Sequence, residues 1–184
     1  MGRSGKASVE GSVLKLAGAG LLIAGCAGFG WCIWRDMAER AEQLKLLERV
    51  FVMLKSEVGY SCSSLPDGLL RVGGHMGGAL GECLKRAGRQ VREESGTTFQ
   101  KAWKEHMRGY LKQTCLNEGE RALVTAFPEY TGFADAGMQL AALEQFAGEM
   151  RRAQETAQRE AENGKRTILS VSAAGGLLLA ILLF

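Results

Sequence analysis

Apolar residues follow two patterns along this chain: unbroken runs near both ends, and recurrence every three or four positions between them. Residues 167–184 read TILSVSAAGGLLLAILLF and carry no charged side chain. As a helix such a run is about 27 Å long, close to the hydrocarbon thickness of a bilayer. A helix packed in a soluble core normally keeps a polar face, and this run has none. Lys165 and Arg166 precede it as a basic collar. The second run, 13–34, is interrupted only by Lys15, whose stem can lie along apolar surface while its ammonium reaches water. Ala17, Gly18, Ala24 and Gly25 leave room for a neighbouring helix, and Trp31 and Trp34 close the run as aromatics do at a membrane interface. Three readings of this run compete: a cleaved signal peptide, a lipoprotein signal ending at Ile23-Ala24-Gly25-Cys26, and an uncleaved transmembrane helix. The mostly apolar residues after Cys26, where a lipoprotein usually has a polar tether, favour the transmembrane helix.

Between the runs the spacing is helical. Leu44, Leu47, Val50, Phe51, Leu54 and Val58 share one face, with Glu39, Glu42, Lys45, Glu48, Arg49 and Lys55 opposite. Ser64 and Pro66 have the chemistry of an N-cap and a first turn, opening a helix with Leu65, Leu69, Leu70 and Val72 inward. The glycine-rich segment 73–78 reads as a hinge or tight loop; it lacks the GxxxxGK[ST] spacing of a phosphate cradle. Residues 79–94 return to helix with Leu80, Cys83, Leu84, Ala87 and Val91 inward. Thr97 or Thr98 caps the next helix, which carries Phe99, Ala102, Trp103, His106, Met107, Tyr110 and Leu111. Asn117 and Glu120 form a capping-box pattern for a short helix to Phe127, stopped by Pro128, Thr131 and Gly132. A long helix from Asp135 turns Leu140, Leu143, Phe146, Met150, Ala153 and Ala157 inward, then becomes polar with only alanines inside. No stretch alternates with a two-residue period. The expected fold is all-α: an antiparallel helical bundle flanked by N-terminal and C-terminal transmembrane helices. Its expected divisions are a disordered 1–12, a transmembrane helix at 13–34, a cytoplasmic bundle at 35–166 and a transmembrane helix at 167–184.

Composition adds little chemistry. The 184 residues carry a net charge of +3, which gives no overall field for nucleic acid. The five cysteines, Cys26, Cys32, Cys62, Cys83 and Cys115, form no CxxC and suit a reducing compartment. His106 lies on an apolar stripe and His75 in the glycine segment. Asp36, Asp67 and Asp135 each stand near a predicted helix start, as capping residues do. These groups do not converge, so no enzyme, cofactor or metal is expected. Between Arg71 and Arg121, however, ten basic residues face six acidic ones. Lys85, Arg86, Arg89, Arg92, Lys101, Lys104 and Arg108, with Lys112, are the candidate partner-binding face on two neighbouring helices, against an acidic protein or anionic headgroups. Glu57, Tyr60, Pro66 and Trp103 are the candidate structural corner, with the Tyr60 ring expected on the bundle. Nine basic residues flank the runs on the side of 35–166 against Arg3, Lys6 and Lys15 beyond, which places 35–166 in the cytoplasm.

The pattern resembles the stage III sporulation protein AB family of endospore formers. The resemblance rests on Leu14-Lys15-Leu16-Ala17-Gly18, on the block QLKLLERVFVMLKSEVGYSCSSLPDGL, on Thr97-Thr98-Phe99 leading to Ala102-Trp103, and on the GGLLLAILLF end. In that block Glu57, Val58 and Tyr60 match the family's E-I/V-x-Y element, and Leu65-Pro66-Asp67 keep its turn. Ser64 and Gly68 depart from the usual proline and alanine. The resemblance implies a non-enzymatic membrane scaffold of the mother-cell-to-forespore channel, in the mother-cell membrane around the forespore. It also implies other channel subunits and a cytoplasmic ATPase as partners, leaves a homo-oligomer open, and likens the domain to type II secretion platform proteins.

Overall fold

The computed structural model describes residues 4–61, 63–131 and 136–183, with side chains at 28–61, 63–131 and 137–168 and at a few positions within the apolar ends. Among the described residues every regular element is a helix, with no strand. The elements are α1 (Ser4–Tyr60), α2 (Leu65–Met76), α3 (Gly78–Glu93), α4 (Phe99–Leu111), α5 (Glu118–Ala126), a 3₁₀ turn (Phe127–Tyr130) and α6 (Ala136–Leu183). The all-α expectation holds. The chain divides into two compact units, Glu39–Ala157 and a pairing of Met1–Ala38 with Gln158–Phe184.

In the Glu39–Ala157 unit the stripe read from sequence is the centre of the core: Leu44, Leu47, Val50, Phe51 and Leu54 are fully buried. Phe51 meets Phe127 edge-on at 4.9 Å and Phe146 at 5.7 Å, and Trp103 stacks tilted on Phe127 at 5.0 Å. The Trp103 indole N–H donates to the Val124 carbonyl at 2.9 Å, so its one polar atom is satisfied in the core. α6 runs antiparallel to α1, with Leu140 over Gly59 and Lys55 Nζ 3.0 Å from Glu144.

Capping follows the local chemistry. Ser64 Oγ accepts from Asp67 N with proline in the first turn, Thr98 takes the cap of α4, and Asn117 with Glu120 completes both halves of its box. The 73–78 expectation is corrected. Residues 73–76 are helical, and the reversal falls on Gly77 and Gly78, whose φ of 62° and 58° only glycine adopts at little cost. Gly73, Gly81 and Gly88 let α2 and α3 touch backbone to backbone. A Cβ at Gly81 would lie 2.5 Å from the Gly73 oxygen, and one at Gly88 2.7 Å from the Pro66 oxygen.

Of the 1–12 stretch expected to be disordered, 4–12 is the start of α1, and 1–3 lies outside the described residues. No proline interrupts 4–12, so helix nucleated downstream can propagate back through it. In the second unit the two helices also run antiparallel. Gly30 faces Ile168, Gly164 lies under the Met37 sulfur, and Lys165 Nζ sits 5.8 Å from the Trp34 ring centre. Phe29, Trp31 and Val171 are exposed there. Among the described residues no helix is long and apolar enough to cross a membrane. The expected spans, 13–34 and 167–184, have side chains described only in part, and Cys26, Cys62, Gly132 and Asp135 lie outside the described side chains.

Candidate interaction surfaces

Cations at positions 101, 104, 108 and 112 recur by three and four, which places them on one side of α4. That side opens onto α5. Lys104, Arg108, Lys112, Arg121 and Glu129 rim an open groove of about 390 Å³ floored by Leu111, Ala122, Thr125 and Ala126. Lys104 Nζ pairs with Glu129 at 2.7 Å. Arg121 Nη2 donates to the Thr114 carbonyl at 2.7 Å, while its Nε is buried with no partner among the described residues.

The α5 wall of this groove is fixed from beneath. Arg40 grips the Glu120 carboxylate through Nη2 at 2.7 Å and Nε at 3.1 Å, and the same carboxylate accepts from Asn117 N at 2.9 Å. Gln43 Oε1 accepts from Cys115 N at 2.8 Å. A fork-like guanidinium–carboxylate pair sets direction as well as distance, so α1 orients the start of α5. Sequence reading identified the capping box and missed this pairing, because nothing local links positions eighty apart.

The α3 cations lie elsewhere. Lys85 packs its stem against Gly73 of α2 and pairs with Glu82, and Arg92 lies 3.6 Å from Asp67. Arg86 lines a different groove, about 500 Å³ between α3 and α4, with Glu82, Cys83, Glu105, His106 and Tyr110 among its walls. Arg89 is exposed. The expected single face is therefore two clusters: α3 and α4 are neighbours, but Glu82, Glu105 and the uncharged groove walls stand between their cations. Hydrogen bonding from Lys85 holds Glu82 below the usual carboxylate range, and the Ser64 hydroxyl, with Arg92, does the same for Asp67.

The corner residues are not gathered either. Glu57 pairs with Arg71 at 3.1 Å, Pro66 lies beneath Gly88, and Trp103 sits in the aromatic core. Tyr60 is 91% exposed, which corrects the packing expected of its ring. At 100° per residue it lies opposite Phe51 on α1 and so points away from the core. His106 is half-buried with Nε2 3.0 Å from Gln90 Oε1. Burial pushes the Cys83 thiol up to about 11, and its Sγ faces the Met107 sulfur at 3.5 Å. Near neutral pH that thiol is protonated and a poor nucleophile. Among the described residues no three His, Cys, Asp or Glu side chains are placed to hold a metal ion.

Comparison with known proteins adds the remaining finding. The family model described as Stage III sporulation protein AB matches residues 15–184. A solved structure titled Stage III sporulation protein AB superposes with a TM-score of 0.61 at 15% identity, covering 67% of this chain and 97% of that one. At that identity the likeness speaks for the fold. No curated protein matches.

Proposed function

The chain belongs to the stage III sporulation protein AB family, and from that premise we propose that it is a non-enzymatic, membrane-held scaffold of a mother-cell-to-forespore channel. Its place would be the mother-cell membrane around the forespore, with both apolar ends inserted and the helical unit in the cytoplasm. There it would couple a cytoplasmic ATPase to the other membrane subunits. The observation that carries this reading is the reach of the family match, 15–184, which takes in both apolar runs and the helices between them.

The geometry supports a role exercised by contact. The Glu39–Ala157 unit is held by an aromatic core and a network tying α5 to α1, while its charged side chains rim open grooves. The Cys83 thiol is kept protonated by burial. The second unit pairs its helices through a close glycine contact and sets Lys165 by the Trp34 ring, an arrangement suited to a bilayer boundary.

Cysteine labelling in intact protoplasts, on a background lacking native cysteines, tests the anchored reading. A cysteine at Gly2 should react with an impermeant reagent before one at Glu118. Ready labelling at Glu118 alone would refute the cytoplasmic placement and favour an extracytoplasmic module anchored through Cys26.

A further inference from the structure

Among the described residues, the α4–α5 groove combines unbalanced positive charge with concavity and a guanidinium held in place. Its rim carries Lys104, Arg108, Lys112 and Arg121 against a single acid, Glu129. That acid is already engaged by Lys104 at 2.7 Å. The remaining positive charge has no counter-ion on the groove's own walls. Arg121 is held by the Thr114 carbonyl, so its guanidinium is positioned in advance and loses little freedom when an acceptor arrives.

The geometry points to the α4–α5 groove as the docking site for an acidic segment of a partner protein, with carboxylates on Arg108, Lys112 and Arg121. This deepens the scaffold reading and rests on it, because it names where the partner binds and by what chemistry. A peptide fits better than a lipid surface for two reasons on the groove itself. An anionic bilayer presents a plane and meets flat or convex patches of mobile lysines. This groove is concave, with an apolar floor of Leu111, Ala122 and Ala126 that can take the methylenes and methyls of a helix. The α3 cations contribute little, since Lys85 and Arg92 already have acidic neighbours and Arg86 lines another groove.

Glu129 gives the proposal a sign that a general charge effect lacks. Its carboxylate adds negative charge to the groove that receives the partner's carboxylates and neutralises Lys104, so removing that charge should strengthen docking.

The test uses the full chain in phosphatidylcholine nanodiscs. The probe is a fluorescein-labelled helical peptide bearing glutamates at i, i+4 spacing, followed by anisotropy. Arg108→Glu with Lys112→Glu, both exposed positions, should weaken binding roughly tenfold or more with helicity unchanged. Glu129→Gln should tighten it about threefold, and Lys85→Glu with Arg89→Glu should leave it within about twofold. Binding should fall as salt rises. Equal loss from the α3 and α4 reversals would overturn the proposal in favour of a diffuse field. No peptide binding, but capture by phosphatidylglycerol vesicles that the α4 reversal abolishes, would make the groove a membrane contact and overturn it as well. If the α4 variant fails to fold, the gain expected from Glu129→Gln still decides the matter. A chain that binds the peptide through α4 yet fails protoplast labelling would keep the groove and lose the anchored reading.

Discussion

At the scale of single residues, burial decides what each side chain does. Trp103 is fully buried and spends its N–H on Val124, so Trp103→Phe leaves a carbonyl unpaired in the core as well as a smaller cavity. We expect it to cost about 2 kcal/mol, and Trp103→Ala about 3–5 kcal/mol, by denaturant unfolding. Tyr60 is the counterexample. Its place at the end of a helix suggested a packed corner, yet position relative to the buried stripe decides, and Tyr60→Ala should change stability by less than about 0.5 kcal/mol. Cys83 supplies the pH dependence. Its folded value near 11 exceeds its ordinary value of 9.0, so between those limits the unfolded chain has lost the proton that the folded chain keeps. Stability is therefore intact below about pH 9 and falls as pH rises toward 11, by up to about 2 kcal/mol. Unfolding at pH about 8 and about 10.5 should show this extra loss in the unmodified chain and not in Cys83→Ala; identical losses would remove Cys83 from the account.

Among the elements, the α2–α3 pair carries the sharpest contrast. The two helices touch at Gly73, Gly81 and Gly88, where an added methyl meets backbone that cannot rotate away. Gly81→Ala should cost about 1–3 kcal/mol through overpacking. Gly74, one residue along α2 from Gly73, has nothing within 4 Å of its missing Cβ. Gly74→Ala should therefore stabilise by about 0.5–1 kcal/mol. A similar response at both positions would mean that the seam is not close-packed. This seam also shows what the sequence could and could not convey. Apolar stripes, the Ser64 and Thr98 caps and the Asn117–Glu120 box are legible because each is set by residues within a turn or two. A glycine cluster is ambiguous by itself: it serves a loop or a close crossing, and only the partner helix tells which. The division of the basic residues between two grooves was not legible for a related reason. Periodicity says which side of α4 bears Lys104 and Arg108, but not that α5 lies there and supplies Arg121.

At the scale of the whole molecule, the all-α architecture and the family were both readable from the order of weak motifs along the chain, since together they span nearly all of it. The Arg40–Glu120 pair was not, although it holds α5 in place on α1. Glu120→Ala should cost about 3 kcal/mol, because Arg40 loses its carboxylate in a half-buried setting and α5 loses half its cap. Arg40→Leu with Glu120→Leu should recover part of that loss; no recovery would show that the capping role dominates. The proposed role is to hold other proteins at a membrane. Affinity purification of the tagged full chain from detergent-solubilised membranes of sporulating cells tests that most directly. The account predicts recovery from the membrane fraction together with a P-loop ATPase and further membrane subunits, with the ATPase or another subunit reduced by Arg108→Glu with Lys112→Glu. Recovery of the chain alone, or from the fraction free of membranes, would contradict it.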